Sequence, residues 1–259
     1  MICAGVDVGS LWLKVVLLKD GAIAGSRVAP TGLAADDTAD EVLDDLLADA
    51  GLSRDALGAV VATGAGRGEI EFATDQASEV VSAARGAPFF HPGVKGVIDL
   101  GGETTRIVKL DDAGEVLEFT ANEKCAAGTG IFLDAMAKVL GVPIEEMGPV
   151  SLQSTADVSI TSTCVAFAES EVVSQVHRQT PKADILRGMH RSIATRVFGM
   201  AHRVSLERPI MAIGGLALNV GVVRCLEELL KETMIVPTQP QIVSATGAAV
   251  IASRTGATA

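Results

Sequence analysis

Asp7-Val8-Gly9-Ser10 and Asp99-Leu100-Gly101-Gly102 each place a carboxylate and a glycine in a tight turn between two apolar runs. Glycine lets a backbone come close to an anion, and successive N–H groups form a concave nest that suits phosphate. A carboxylate beside such a nest repels phosphate unless a divalent cation stands between them. The two aspartates therefore predict Mg²⁺ held between the two hairpins through water. A third glycine turn, Gly214-Gly215, closes the run PIMAI ahead of a helical pattern. Ligands of α/β sheets bind at such strand ends. Lys14, on the strand after the first turn, either neutralises phosphate or caps a surface strand.

A different chemistry attaches to two cysteines. Cys125 stands in NEKCAAGTG, directly before a Gly-Thr-Gly turn and the helical stretch IFLDAMAKVL; Cys164 stands in STCVAFAESEV and also precedes a helix. Unsatisfied N–H groups and the positive end of the helix dipole stabilise a thiolate at that position. Each alone reads as a buried apolar thiol, a reactive thiol or a metal ligand. The other cysteines, Cys3 and Cys225, fall in strand and helix patterns and read as core. His190 and His202 lie on one long helical pattern and read as structural or surface residues. HExxH and GxSxG motifs are absent, so a zincin or an elbow-type serine hydrolase is unsupported.

The elements that must carry these groups follow from periodicity. ICAGVDVG, LWLKVVLLK and AIAGSRVAP read as strands, with a turn at Asp20-Gly21. Residues 34–50 place Val42, Leu43, Leu46 and Leu47 at helical spacing, with Gly51 as the C-terminal stop. LGAVVATG is a strand with a glycine stop, and residues 76–86 read as a helix. The opening then repeats: residues 96–116 parallel residues 4–24, each giving an apolar strand, an Asp-x-Gly turn, a second strand with a basic residue, and an Asp/Gly turn. A repeat at this scale predicts two lobes sharing one β-β-β core. Further on come a helix from about 129, a PIEEM turn, helices over 165–178 and 182–204, the strand PIMAI, a helix over 218–231, a strand at MIVP and a closing helix in ATGAAVIAS. The boundaries are lobe I over 1–93, lobe II over 94–242, and a C-terminal helix, 243–259, that returns to lobe I. A hinge falls near Pro92 and Gly93.

Composition bounds the function. The 259 residues are 48% hydrophobic but only 3% aromatic, so Ala, Val, Ile and Leu build the cores. Mean hydropathy is +0.38. A net charge of −11 repels phosphate backbones and anionic lipid, which argues against nucleic-acid and membrane partners. No apolar run of spanning length and no basic leader is apparent, so the expectation is a cytoplasmic protein that needs no disulfides.

The order DVGS…K, DLGG, KCAAGTG, GGLALN and ATGAA resembles the acetate kinase, Hsp70 and actin ATPase superfamily: α/β, two-lobed, with duplicated β-sheet cores flanked by helices. More narrowly, EKCAAGTGIFLDAMAK at 123–138 and STCVAFAESEV at 162–172 resemble the BadF/BadG/BcrA/BcrD-type ATPases, which include activators of 2-hydroxyacyl-CoA dehydratases and ATPase subunits of benzoyl-CoA reductase. The resemblance implies that residues 7–10 and 99–102 are the phosphate loops, with Asp7 and Asp99 orienting hydrated Mg²⁺. It implies that Gly9, Ser10, Lys14, Gly101 and Gly102 serve the phosphates and that Gly128, Thr129 and Gly130 face the nucleotide. Gly214, Gly215 and Asn219 would lie by the adenosine, and residues 239–245, from Gln239, by the base. It also implies that Cys125 and Cys164 hold a [4Fe–4S] cluster shared between the two subunits of a homodimer. The chain departs from the family at Leu11, Trp12 and Leu13, where small hydroxyl residues are usual. It departs again at Glu103 and Thr104, where Gln and Asp are usual, and at Arg106, which replaces a Lys. Glu103 changes how an attacking water would be held.

The expected activity is an ATPase coupled to one-electron transfer, fed by ferredoxin or flavodoxin and serving a dehydratase or related iron–sulfur reductase. The alternatives are a small-molecule kinase of the same superfamily and a nucleotide sensor that does not hydrolyse.

Overall fold

A computed structural model describes residues 1–122, 129–160 and 165–255, excluding the side chains of Val165 and Ala166. The strands are β1 Ile2–Val8, β2 Trp12–Lys19, β3 Ala22–Pro30, β4 Leu57–Thr63, β5 Asp75–Gln76, β6 Gly96–Leu100, β7 Thr105–Leu110, β8 Val116–Asn122 and β9 Ile210–Ile213. The helices are α1 Ala35–Asp49, α2 Glu79–Phe90, α3 Gly130–Leu140, α4 Ile144–Ser151, α5 Val165–His177, α6 Lys182–Arg203, α7 Val220–Leu230 and α8 Val243–Thr255.

The strands form two sheets, in the orders β3-β2-β1-β4-β5 and β8-β7-β6-β9. The repeat read in the sequence is thus a repeat of strand order. Two compact units divide the chain: residues 1–97, 108–118 and 237–259 form one, residues 98–107 and 119–236 the other.

In the first unit β1 pairs antiparallel with β2 and parallel with β4. Period-two alternation sorts its side chains onto two faces. Val6, Val8, Leu13, Val15 and Leu17 pack with Val42, Leu43, Leu46 and Leu47 of α1. Cys3, Ala59 and Val61 pack with Ala248 and Ala252 of α8, and Val16 and Leu18 with Ala245 and Ala249. Small residues let α8 come close to both neighbours. A methyl on Gly5 would stand 2.0 Å from the Ala245 carbonyl oxygen, and one on Gly247 would stand 1.8 Å from that of Ser82 in α2. Gly51 takes φ +65° just beyond α1, as the sequence predicts for its stop.

The second unit builds its core from Ile98, Leu100 and Ile107 of the sheet, Phe132, Leu133 and Met136 of α3, and Ile185, Met189, Ile193 and Val197 of α6. With aromatics so few, Phe132 is the largest fully buried side chain. Cys3 and Cys225 are buried, as read, and burial pushes both thiols up from their ordinary range.

Three local expectations are corrected. PIEEM is not a turn but the start of α4: Glu145 and Glu146 complement its positive end and Met147 is buried. MIVP is not a strand. Ile235 makes one parallel bridge to Met211, and Pro237, which lacks an N–H, stands two residues on. The helix expected from residue 76 starts at Glu79, because Ser78 caps it by accepting from the Val81 N–H at 3.3 Å, while Asp75 and Gln76 join the sheet as β5.

Gly247→Ala therefore forces backbone apart and lowers stability by about 1–3 kcal/mol. Gly199→Ala, on an exposed turn of α6 with nothing within 4 Å of the added methyl, raises it by roughly 0.5–1 kcal/mol. Urea denaturation midpoints of the two variants should move in opposite directions.

Candidate functional site

The first acidic turn is closed by the Gly9 N–H donating to the Trp12 carbonyl at 3.1 Å. Strand register sets Asp7 opposite Lys14, and the Lys14 ammonium lies 3.0 Å from Asp7 Oδ2. Their side chains are only 12% and 14% exposed, so Lys14 does not cap a surface strand. Gly9 leaves no room for a side chain, since its Cβ would stand 2.8 Å from the Trp12 oxygen. Thr31 Oγ1 donates to the Gly9 carbonyl at 2.7 Å, and Ser10 is exposed at the tip. At the end of parallel β4, Gly64 takes φ +92°, and its Cβ would stand 2.7 Å from Asp7 Oδ1. Only glycine fits there. Arg67, three residues on, donates to the Gly64 carbonyl at 2.9 Å and pairs with Glu79 at 3.3 Å.

The second turn repeats this nearly atom for atom. Gly101 N–H donates to the Thr104 carbonyl at 3.0 Å, and Arg106 stands 3.3 Å from Asp99 Oδ2, seven residues apart as in the first pair. Gly214, at φ +88°, lies so that its Cβ would be 2.8 Å from Asp99 Oδ1. Thus Gly214 does at Asp99 what Gly64 does at Asp7. Sequence reading took Gly64 for a strand stop; the signal that could have found it is the same strand–glycine ending in AVVATG and PIMAIGG. Glu103 is exposed at the second tip and Gly215 opens a short 3₁₀ turn.

Helix α3 begins on this second turn. Gly130 N–H donates to the Gly101 carbonyl and Ile131 N–H to that of Gly102, both at 3.0 Å. Thr129, at the N-cap position of α3, is buried. Gly128 and Cys125, just before it, lie outside the described residues, as does Cys164. The segment leading to Cys164 is pinned to α6. Asp184 accepts at one oxygen from Ser154 Oγ, Thr155 N–H and Ala156 N–H at 2.8–3.0 Å, which holds its carboxyl below the usual range, with Ala156 the largest cause. Val158 passes so close to Gly188 that a methyl there would meet its carbonyl oxygen at 2.2 Å.

Asn219 caps α7: its Oδ1 accepts from the Gly221 and Val222 N–H groups at 3.0 and 3.1 Å. Its amide nitrogen meets His190 Nε2 at 3.3 Å, and His190 Nδ1 meets Ser151 Oγ at 3.0 Å. Sequence reading missed His190 and Ser151 as partners of Asn219, because they come from three helices and share no spacing. Burial, then the nearby Arg187, pushes the His190 imidazole down to about 3 from 6.5.

In sum, the first unit gathers Asp7, Gly9 and Lys14, and holds Gln239, exposed, ahead of a 3₁₀ turn that packs on β2 and β3. The second gathers Asp99, Gly101, Gly102, Gly130 and Gly214, with Asn219 on the knot described. Among the described residues no group of three or more His, Cys, Asp or Glu gathers to hold a metal, and no helix is long and apolar enough to cross a membrane.

Comparison with known proteins gives one consistent relationship. The model of the BadF/BadG/BcrA/BcrD ATPase family matches residues 4–252. The chain is 41% identical to the 2-hydroxyisocaproyl-CoA dehydratase activator of Clostridioides difficile, covering 97% of this chain and 95% of the relative. It is 39% identical to the (R)-2-hydroxyglutaryl-CoA dehydratase activating ATPase of Acidaminococcus fermentans, over 98% and 97%. It superimposes on the solved activator of the 2-hydroxyisocaproyl-CoA dehydratase from Clostridium difficile with bound ADPNP at TM-score 0.94 and 40% identity, covering all of this chain and 96% of that one. A ROK hexokinase from Thermus thermophilus, at 13% identity and TM-score 0.52, shares the fold. The architecture is that of the actin-like ATPases.

His190 gives the site a measurable acid sensitivity. Its folded pKa, about 3, lies below its ordinary 6.5, so protons bind the unfolded chain first. The stability it contributes is complete above pH 6.5 and declines as pH falls toward 3, at roughly 1.4 kcal/mol per unit. Between pH 7 and pH 5 the wild type should lose about 2 kcal/mol more in urea denaturation than His190→Gln.

Proposed function

The chain belongs to the BadF/BadG/BcrA/BcrD ATPase family, and we propose that it is an ATP-driven iron–sulfur electron donor that activates a 2-hydroxyacyl-CoA dehydratase or a related low-potential CoA-thioester reductase. The observation that carries this reading is the α3 start bonded to the second of two matching acidic hairpins, in a chain 41% identical to a dehydratase activator along nearly its whole length.

ATP and ADP would meet the backbone N–H groups of Gly9, Ser10, Gly101 and Gly102, with Lys14 adding charge. Asp7 and Asp99 fit Mg²⁺: each is a hard oxygen donor at a strand end, and each already leans on a cation seven residues away, so they would hold the ion through water. Glu103, exposed on its hairpin tip, would orient the attacking water. By the family resemblance, Gly128, Thr129 and Gly130 would serve the nucleotide, Gly214, Gly215 and Asn219 the adenosine, and Gln239 the base.

Cys125 and Cys164 fit a [4Fe–4S] cluster by the softness of thiolate sulfur. Two thiolates per chain make four when two chains meet on a two-fold axis. When bound, that cluster supplies low-potential one-electron transfer. The chain's own part is mechanical. Backbone bonds fasten Gly130 and Ile131 to Gly101 and Gly102, so displacement of the phosphate hairpin on ATP binding or hydrolysis is passed into α3, five residues from Cys125. Reduced ferredoxin or flavodoxin supplies the electron, the dehydratase or reductase receives it, and the homodimer works in the cytoplasm.

Protein purified without oxygen should be brown, dimeric, and carry about four iron and four sulfide per two chains. Cys125→Ala and Cys164→Ala should each abolish the iron while ATP binding persists. A colourless, iron-free dimer with intact cysteines would sink the electron-donor reading.

A further inference from the structure

The bonds around His190 have one self-consistent direction. Ser151 Oγ lies 2.7 Å from the Gly148 carbonyl, which can only accept, so the hydroxyl hydrogen points there. Toward His190 Nδ1 at 3.0 Å, Ser151 Oγ can then only accept, and Nδ1 carries the ring hydrogen. Nε2 is left with a lone pair. The group facing it at 3.3 Å is the Asn219 amide nitrogen, because Asn219 Oδ1 is fixed by the two N–H groups of the α7 cap. The chain of donation runs Asn219 Nδ2–H to His190 Nε2, His190 Nδ1–H to Ser151 Oγ, and Ser151 O–H to the Gly148 carbonyl. An imidazolium would set N–H against N–H, so protonation breaks the chain.

The backbone has been cleared to admit this knot. A methyl on Gly221 would stand 2.3 Å from Ser151 Oγ and 2.4 Å from His190 Nδ1, and one on Gly148 would stand 3.0 Å from Asn219 Oδ1. His190 and Ser151 are wholly buried, whereas Asn219 is only half-buried. One Asn219 amide hydrogen is used by His190; the other has no partner among the described residues.

We infer that His190 is a positioning residue that, with Ser151 behind it, locks the Asn219 amide so that its second hydrogen is offered to the nucleoside moiety of the bound nucleotide. The inference rests on the proposed placement of Asn219 beside the adenosine, and it adds the pair of buried residues that sets the amide's orientation. Asn219 contacts the ligand; His190 acts through it.

Anaerobically purified wild type, His190→Leu, His190→Gln and Ser151→Ala are titrated with Mg²⁺-ATP, Mg²⁺-ADP and inorganic tripolyphosphate by calorimetry. His190→Leu, which strands the Asn219 amide, should weaken ATP and ADP alike by about tenfold or more and leave tripolyphosphate unchanged. His190→Gln, whose Oε1 can accept from Asn219, should recover most of that loss, and Ser151→Ala should fall between. Equal weakening of tripolyphosphate, or no weakening of any ligand, would overturn the inference. Ring ¹⁵N resonances add a readout that loosened packing would not move: a neutral Nδ1–H tautomer from pH 5 to 8 in the wild type, against which an Nε2–H tautomer would count. A wild type that binds tripolyphosphate and neither nucleotide would remove the nucleotide reading itself, while the tautomer would still report on the knot.

Discussion

A carboxylate that is nearly out of solvent needs a partner, and the two that matter here have found theirs across a hairpin. Asp7 leans on Lys14 and Asp99 on Arg106. Breaking such a pair leaves a charge stranded in a poorly solvated place, which is far costlier than never having buried it. The pairing fixes much else. It demands two strands in a set register, a turn short enough to keep the cation opposite, and a glycine where the turn folds against its own carbonyl. It also demands a neighbouring strand that ends in a left-handed glycine, Gly64 or Gly214, because any side chain there would strike the carboxylate. The hairpins are alike because the same electrostatic problem was solved twice with the same parts.

Much of this was legible in the sequence. Buried strands of Val, Ile, Leu and Ala announce themselves, and Asp-x-Gly between two of them stands out when it occurs twice. What stayed hidden depends on contacts between distant segments. Gly64 reads as an ordinary stop until β4 is known to lie beside β1. His190 reads as one histidine on a long helix until α4 and the start of α7 are packed around it. MIVP has strand composition, but pairing to one neighbour uses every second N–H, and after Ile235 the next would be that of Pro237, which has none. Cys125 and Cys164 were visible as thiols before helices; the proposal that they act as a pair came from resemblance, not from spacing.

The two hydrogen-bond systems of the second unit differ in kind. The tie between α3 and the second hairpin is backbone to backbone, so it tolerates nearly any side chain that keeps the local conformation. The knot at Asn219 runs through three side chains anchored on backbone at both ends, and every member has a fixed donor or acceptor role. The first suits a joint that must survive movement, the second a fixture whose orientation must not vary.

The first unit is assembled from three separated stretches, the last of which is residues 237–259. On a ribosome, residues 98–236 have emerged, with all that the second unit needs, before α8 exists. Until α8 arrives, the faces of β1 and α2 shaped for it, around Gly5 and Gly86, have nothing to close on. A nascent chain therefore carries its first acidic hairpin on a sheet with one face uncovered until α8 has emerged. It gains a complete first unit only once α8 is available to pack, and a chaperone that covers that small-residue groove would guard the step most open to misassembly.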